Sequence, residues 1–157
     1  MFGFKGVHHA AISVPSLESA REFYIDKLGF ELVDSEHFPP SEIGDELLGM
    51  KDADCHMFMV KAGNLIFEVF EFHSPTPKQQ GLSRSLCDHG YTHLAFEVED
   101  IQVAYDYLGK AGVTWHRPPL EAGPGYMMTY GRDPFGNVIE IQQLAGGLPY
   151  SFDQLSF

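Results

Sequence analysis

Positive charge, cysteine and long apolar runs are all scarce in this chain, and each scarcity removes a class of function. Lysine and arginine number 10 among 157 residues, against 22 aspartates and glutamates, for a formal net charge of −12. That sign excludes a nucleic-acid binder, whose partner's phosphates call for a basic face. It also excludes docking on an anionic membrane surface. The two cysteines, Cys55 and Cys87, make no disulfide framework, and a reducing compartment is the simpler reading. No apolar run approaches the roughly 20 residues that a membrane span needs. The opening MFGFKGVHH lacks the n-region and h-region of a signal peptide. The expectation is a soluble, cytoplasmic protein with a small-molecule substrate. What the chain does have is 44% hydrophobic and 13% aromatic residues, enough for one packed domain or two small halves.

It also has an internal repeat. GVHHAAISVPSLESAREF aligns with GYTHLAFEVEDIQVAYDY at a constant offset of 84. Gly6 meets Gly90, His9 meets His93, Ala11 meets Ala95, Val14 meets Val98 and Ala20 meets Ala104. Further on, GNLIFEVF and GNVIEIQQ each place one glutamate, Glu68 or Glu140, inside an apolar stretch. The chain therefore reads as one unit used twice, over about 4–74 and 88–144, with a Pro- and Ser-containing linker at 75–87 and a tail at 145–157. Two copies are too few for a solenoid and suit a pseudo-symmetric pair.

Within each copy the hydrophobic period changes in the same order. VHHAAISV alternates as a strand, with His8, Ala10, Ile12 and Val14 on one face and Val7, His9, Ala11 and Ser13 on the other. A helix follows from the Ser16 cap to Gly29, its apolar residues recurring at helical spacing. Asp100 and Gly112 bracket the second helix in the same way. Three more strands are expected per copy: FELVDSE, CHMFMV and LIFEVFEF, then VTWH, GYMMTYG and NVIEIQQ. The fold class is α+β, βαβββ twice. The loop between the second and third strands of the first copy, 36–54, is read as long, with two prolines and several acids, and as a lid, a partner contact or a solvated loop.

On this reading His9, Glu68, His93 and Glu140 share one description. Each lies in a strand on the face turned away from its helix. A glutamate inside an apolar strand is costly to bury ionised without a partner. Two brought together repel, and a divalent cation removes the problem. Two imidazoles and two carboxylates suit Zn, Ni, Co, Mn or Fe as the divalent ion. Of the repeat partners, His8 meets Thr92, so His9 is taken as the ligand and His8 as an edge residue. The remaining histidines, His37, His56, His73, His89 and His116, have no repeat partner and default to structure or surface.

These stretches, with GRDPFGNVIEI, resemble the vicinal oxygen chelate superfamily, which includes glyoxalase I, methylmalonyl-CoA epimerase, extradiol dioxygenases and bleomycin-binding proteins. The resemblance implies two βαβββ modules whose sheets form an open barrel around one divalent metal ion. It places the ligands at His9, Glu68, His93 and Glu140. It implies a lyase or isomerase working through an enediolate or enolate, with Glu68 and Glu140 as bases. A homodimer is expected on the same ground. Where bacterial glyoxalase I has residues that help hold glutathione, this chain has Ser13 and, after Glu68, VFEF. Tyr91, Tyr126, Tyr130 and Arg132 are expected to line a substrate pocket, and the apolar tail is expected to dock. Two alternatives remain: an Fe(II) extradiol-type dioxygenase, and a non-catalytic drug- or metabolite-binding protein.

Overall fold

A computed structural model describes Gly3, residues 5–78 and residues 84–155. Phe4 at the start of the first module, residues 79–83 of the expected linker, and Phe157 of the tail lie outside the described residues. The chain divides into two compact units, residues 1–79 and 80–157, each an α+β arrangement on one mixed sheet.

In unit 1 the elements run β1 (His9–Ser13), α1 (Leu17–Arg21), β2 (Glu31–Phe38), α2 (Glu42–Leu48), β3 (Asp54–Ala62) and β4 (Leu65–Ser74). The sheet order is β1-β4-β3-β2, with β1 parallel to β4 and the other pairs antiparallel. Ser16 caps α1 by accepting from the Ser19 N–H. The helix then widens into a π-helical turn over Glu22–Lys27, where the Leu28 N–H reaches the Phe23 carbonyl at 3.0 Å. Gly29, at φ +71°, ends it as the expected left-handed stop. Ala20, Phe23 and Tyr24 are buried, as are Phe58, Val60, Phe67 and Val69. The Tyr24 ring meets Phe67 edge-on at 5.3 Å, and the Arg21 guanidinium lies 4.9 Å from the centre of the Phe58 ring.

The expected 36–54 loop is corrected in two places. β2 continues to Phe38, and α2 occupies most of the remainder. Ser41 accepts from the Gly44 N–H at 3.1 Å and Gly49 closes the helix at φ +63°. Asp45 then accepts from Ala53 N–H and Asp52 N–H. Those two bonds, that from Ala53 first, hold its carboxyl below the usual range.

Unit 2 runs β5 (Leu94–Glu97), α3 (Ile101–Ala111), β6 (Thr114–Trp115), β7 (Leu120–Gly123), β8 (Tyr126–Arg132) and β9 (Val138–Leu144). Its order is β5-β9-β8-β6, with β7 also paired to β8. β7 is an addition to the expected pattern. It is a four-residue hairpin arm that follows Pro118 and Pro119. Asp100 caps α3 through the Gln102 and Val103 N–H groups. The Trp115 indole donates to the Tyr105 carbonyl and stacks on the Tyr105 ring. Gly131 is required beneath that indole, because a Cβ there would stand 2.5 Å from a Trp115 ring carbon.

The β8–β9 turn is built around Asp133, which is 4% exposed. One carboxylate oxygen accepts from the Phe135 and Asn137 N–H groups, the other from the Asn137 amide. This turn sets the register that places Tyr130 opposite Glu140.

Candidate functional site

Each unit builds the same half-site by the same route. In unit 1, Glu68 stands in the middle of β4, opposite Ala11 of β1 and Met59 of β3. In unit 2, Glu140 stands in β9 opposite Ala95 of β5 and Tyr130 of β8. Ala11 and Ala95 are repeat partners, so the two glutamates are structurally equivalent although their offset in sequence is 72 rather than 84. The small alanine leaves room on that face for the histidine two residues earlier. His9 Nε2 lies 3.4 Å from Glu68 Oε2, and His93 Nε2 lies 3.0 Å from Glu140 Oε2. His9 opens β1, as expected, whereas His93 sits one residue ahead of β5.

The residue preceding each histidine also has a role that the sequence reading missed. His8 Nδ1 lies 2.8 Å from His9 Nδ1, and Thr92 Oγ1 lies 2.9 Å from His93 Nδ1. In both units the far ring nitrogen is held by its sequence neighbour while Nε2 faces the carboxylate. This is the way an outer partner fixes the tautomer and aim of a ligating imidazole. The signal was available: His8 and Thr92 are repeat partners that can both hydrogen-bond, although their types differ.

The two half-sites differ in what surrounds the carboxylate. Tyr126 donates its hydroxyl to Glu140 Oε1 at 3.0 Å. Tyr130 meets the His93 ring edge-on at 5.1 Å. Burial first, and then a hydrogen bond to Glu140, push both phenols up to about 12. Tyr126 and Tyr130 therefore lie against Glu140 and His93. Tyr91 is 96% exposed and stands in solvent. Arg132 is committed to main-chain carbonyls, those of Gly136 at 2.8 Å and of Arg84. Through these two bonds it clamps the β8–β9 turn. The tail docks on unit 2: Tyr150 lies 6.2 Å from Tyr126, Ser151 is buried, and the Phe152 N–H reaches the Glu97 carboxylate.

The residues fit a divalent cation by their chemistry. The Glu68 and Glu140 side chains are only 10% and 4% exposed, and the ion-pair partner of each is an imidazole. Spacings of 3.0 and 3.4 Å between nitrogen and oxygen match neighbouring ligands on a cation with bonds of about 2.0–2.2 Å. Among the described residues, neither unit gathers three or more His, Cys, Asp or Glu side chains into a metal-holding group. Each unit supplies a two-donor half-site.

Comparison with known proteins agrees with this architecture. The family model described as Glyoxalase/Bleomycin resistance protein/Dioxygenase superfamily matches residues 6–141. A 2-epi-5-epi-valiolone epimerase from Actinomyces sp is 32% identical over 158 residues, covering 94% of this chain and 84% of that protein. A glyoxalase family protein from Bacillus cereus has a similar solved structure, with TM-score 0.81 and 22% identity over 93% of this chain and 99% of that one. Another, from Enterococcus faecalis, has TM-score 0.65 and 27% identity over 90% and 99%. No helix among the described residues is long and apolar enough to cross a membrane.

Proposed function

The chain belongs to the glyoxalase/bleomycin resistance protein/dioxygenase superfamily, and on that premise we propose that it is a metal-dependent isomerase acting on a small, oxygen-rich carbonyl compound. The observation that carries this reading is the His–Glu pair built twice, at matched register, with a carboxylate nearly excluded from solvent in each copy. The similarity to an epimerase supports isomerisation over the other chemistries of the superfamily.

In this proposal His9, Glu68, His93 and Glu140 hold one divalent ion. When bound, the ion supplies Lewis-acid stabilisation of negative charge developing on a carbonyl oxygen. The protein's own groups move the proton. Epimerisation takes a proton from the carbon next to the carbonyl and returns one to the opposite face. Glu68, paired with His9 at the longer distance of 3.4 Å, is the freer carboxylate and removes the proton. Glu140, with the Tyr126 hydroxyl on its Oε1, is the group through which a proton returns. The tyrosines remain protonated up to about pH 12 and orient Glu140 throughout. His8 and Thr92 keep Nε2 of the two imidazoles aimed at the site.

Elemental analysis of protein purified without chelator, together with deuterium uptake from D2O into 2-epi-5-epi-valiolone, tests the reading. Bound divalent metal that is lost in His9→Ala and Glu140→Ala, with exchange at the carbon beside the carbonyl, is expected. Metal content unchanged in those variants would overturn the ligand assignment. Full activity in Glu68→Gln would overturn the isomerase and favour an iron dioxygenase.

A further inference from the structure

The other face of the unit 1 sheet holds a second concentration of imidazoles. His56 lies on β3 on the side opposite to Met57 and Met59, and so on the face turned away from Glu68. It pairs across the sheet with His37 of β2 and with Glu71 of β4. A register shift at Asp54/Cys55 leaves His73 without a cross-strand partner, between Phe72 and Ser74. Such an irregularity re-aims a side chain, and here it brings the His73 ring edge-on to His56 at 5.1 Å. His56 Nδ1 and His73 Nε2 are 3.0 Å apart. The His37 ring lies flat on the His56 ring, 4.0 Å between centres and 3° from parallel.

The carboxylates of this face sit behind the rings. Asp54 Oδ1 is 2.9 Å from His37 Nε2. Glu71 Oε1 is 4.0 Å from His73 Nδ1, while its Oε2 is fixed by the Leu17 N–H at 2.7 Å. A carboxylate behind one ring nitrogen favours the proton there and leaves the other nitrogen as a lone pair. At 4.0 Å Glu71 makes no hydrogen bond to His73, so in the metal-free protein one of His56 Nδ1 and His73 Nε2 carries the proton of their 3.0 Å contact, and a bound cation replaces it. Two nitrogens bonded to one cation at about 2.1 Å and roughly a right angle are themselves about 3.0 Å apart. The His56–His73 separation is already at that bite. The His37 and His73 side chains are 46% and 43% exposed, so an ion reaches them from solvent.

We propose that His56 Nδ1 and His73 Nε2 form a second metal site, a two-nitrogen chelate for a borderline divalent transition ion of the Ni, Cu or Zn type. Water completes the coordination shell, Glu71 places a negative charge near His73 and the stacked His37 ring supports His56. Hard ions such as Mg and Ca, which take oxygen ligands, do not suit it. The site lies on the opposite face of the sheet from Glu68 and does not depend on the proposed reaction.

The test is calorimetric titration of chelator-stripped full-length protein with Zn²⁺, then with Ni²⁺. Wild type is compared with a His56→Gln/His73→Gln variant and a His9→Ala/Glu140→Ala variant. The double glutamine variant is expected to lose one equivalent that the His9/Glu140 variant retains. Unchanged stoichiometry and affinity in the double glutamine variant would overturn the proposal. So would a wild type whose bound metal is lost entirely in the His9/Glu140 variant. If the double variant melts early, His73→Gln alone, at an exposed ring, gives the same reading. An equivalent lost only in the glutamine variants supports this site and counts against the inner one, so the two fail separately.

Discussion

Unit 1 buries four aromatic side chains, Phe23, Tyr24, Phe58 and Phe67, at 3% exposure or less among its aliphatic and sulfur-bearing residues. Among the described residues of unit 2, the buried apolar side chains are Val113 and three isoleucines, Ile101, Ile139 and Ile141. The contrast reverses on the face that carries the glutamates. Opposite Glu68 stands Met59, with Met57 opposite Phe70 and Cys55 opposite Phe72. At the matched positions of unit 2, Tyr130 faces Glu140, Met128 faces Gln142 and Tyr126 faces Leu144. One strand pattern thus gives an apolar wall in one copy and a hydroxyl-bearing wall in the other. Duplication set the backbone and the His–Glu pair. The copies differ at Met59 against Tyr130, across from the glutamates, and at Cys55 against Tyr126, four residues along, and in unit 2 the Tyr126 hydroxyl is donated to Glu140.

That difference can be broken most severely at the carboxylates themselves. Glu68→Gln is expected to lower turnover by about 10²–10⁴-fold while leaving part of the bound metal in place. Glu140→Gln is expected to lower metal content as well. Measuring proton exchange and metal content on the same preparations checks the division of roles, and equal loss of metal in both variants would refute it.

The cores come next. Phe58→Ala, at a residue with no exposure beneath α1 and in contact with Arg21, is expected to cost about 3–5 kcal/mol in chemical denaturation. Hydrogen exchange should show the amides of β3 and β4 protected longer than those of β5. Faster exchange in unit 1 would contradict the ranking of the two cores.

Making the halves alike is a gentler test. Met59→Tyr puts a phenol where Tyr130 sits in unit 2, and it is expected to slow proton removal by about tenfold, the effect of one hydrogen bond of about 1.5 kcal/mol to a charged group. Tyr130→Met should make Glu140 more like Glu68. If neither substitution changes the exchange rate, the cross-strand neighbour does not tune the base.

The smallest expected effect is spectroscopic. Tyr126 and Tyr130 keep their protons to about 12, whereas a tyrosine in the unfolded chain ionises near 10. Between those values the unfolded state binds fewer protons, so stability from these two groups is whole below pH 10 and falls as pH rises toward 12. Phenolate absorbance should show a late-titrating phase that Tyr126→Phe reduces. A single phase near pH 10 would show that neither hydroxyl is held.

Much of this was readable in the sequence because a strand has period two and a duplicated strand reports its own alignment. His9 and His93 follow from the repeat offset of 84, and Glu68 and Glu140 from the matching GNLIFEVF and GNVIEIQQ stretches, while Ser16 and Asp100 read as caps ahead of helical spacing. What escaped depended on register and on context. α2 is short, follows Pro39 and Pro40 and holds Gly44 and three acidic residues among its seven, which masks the spacing of Ile43 and Leu47. β7 is four residues long and follows two prolines. The position of Tyr130 across from Glu140 follows from a turn whose geometry no period reveals. The two carbonyls to which Arg132 donates lie at Gly136 and Arg84, contacts that no spacing in the sequence reveals.

The Asp133 turn lies outside the group of side chains to which the chemistry is assigned, yet it acts as their index. Its three hydrogen bonds count the residues between two neighbouring strands. An insertion or deletion there that shifted the pairing by one residue would bring Gly131 or Thr129 across from Glu140 and turn one strand's side chains to the opposite face. Descendants of such a chain could change specificity through a loop, with no change to a strand.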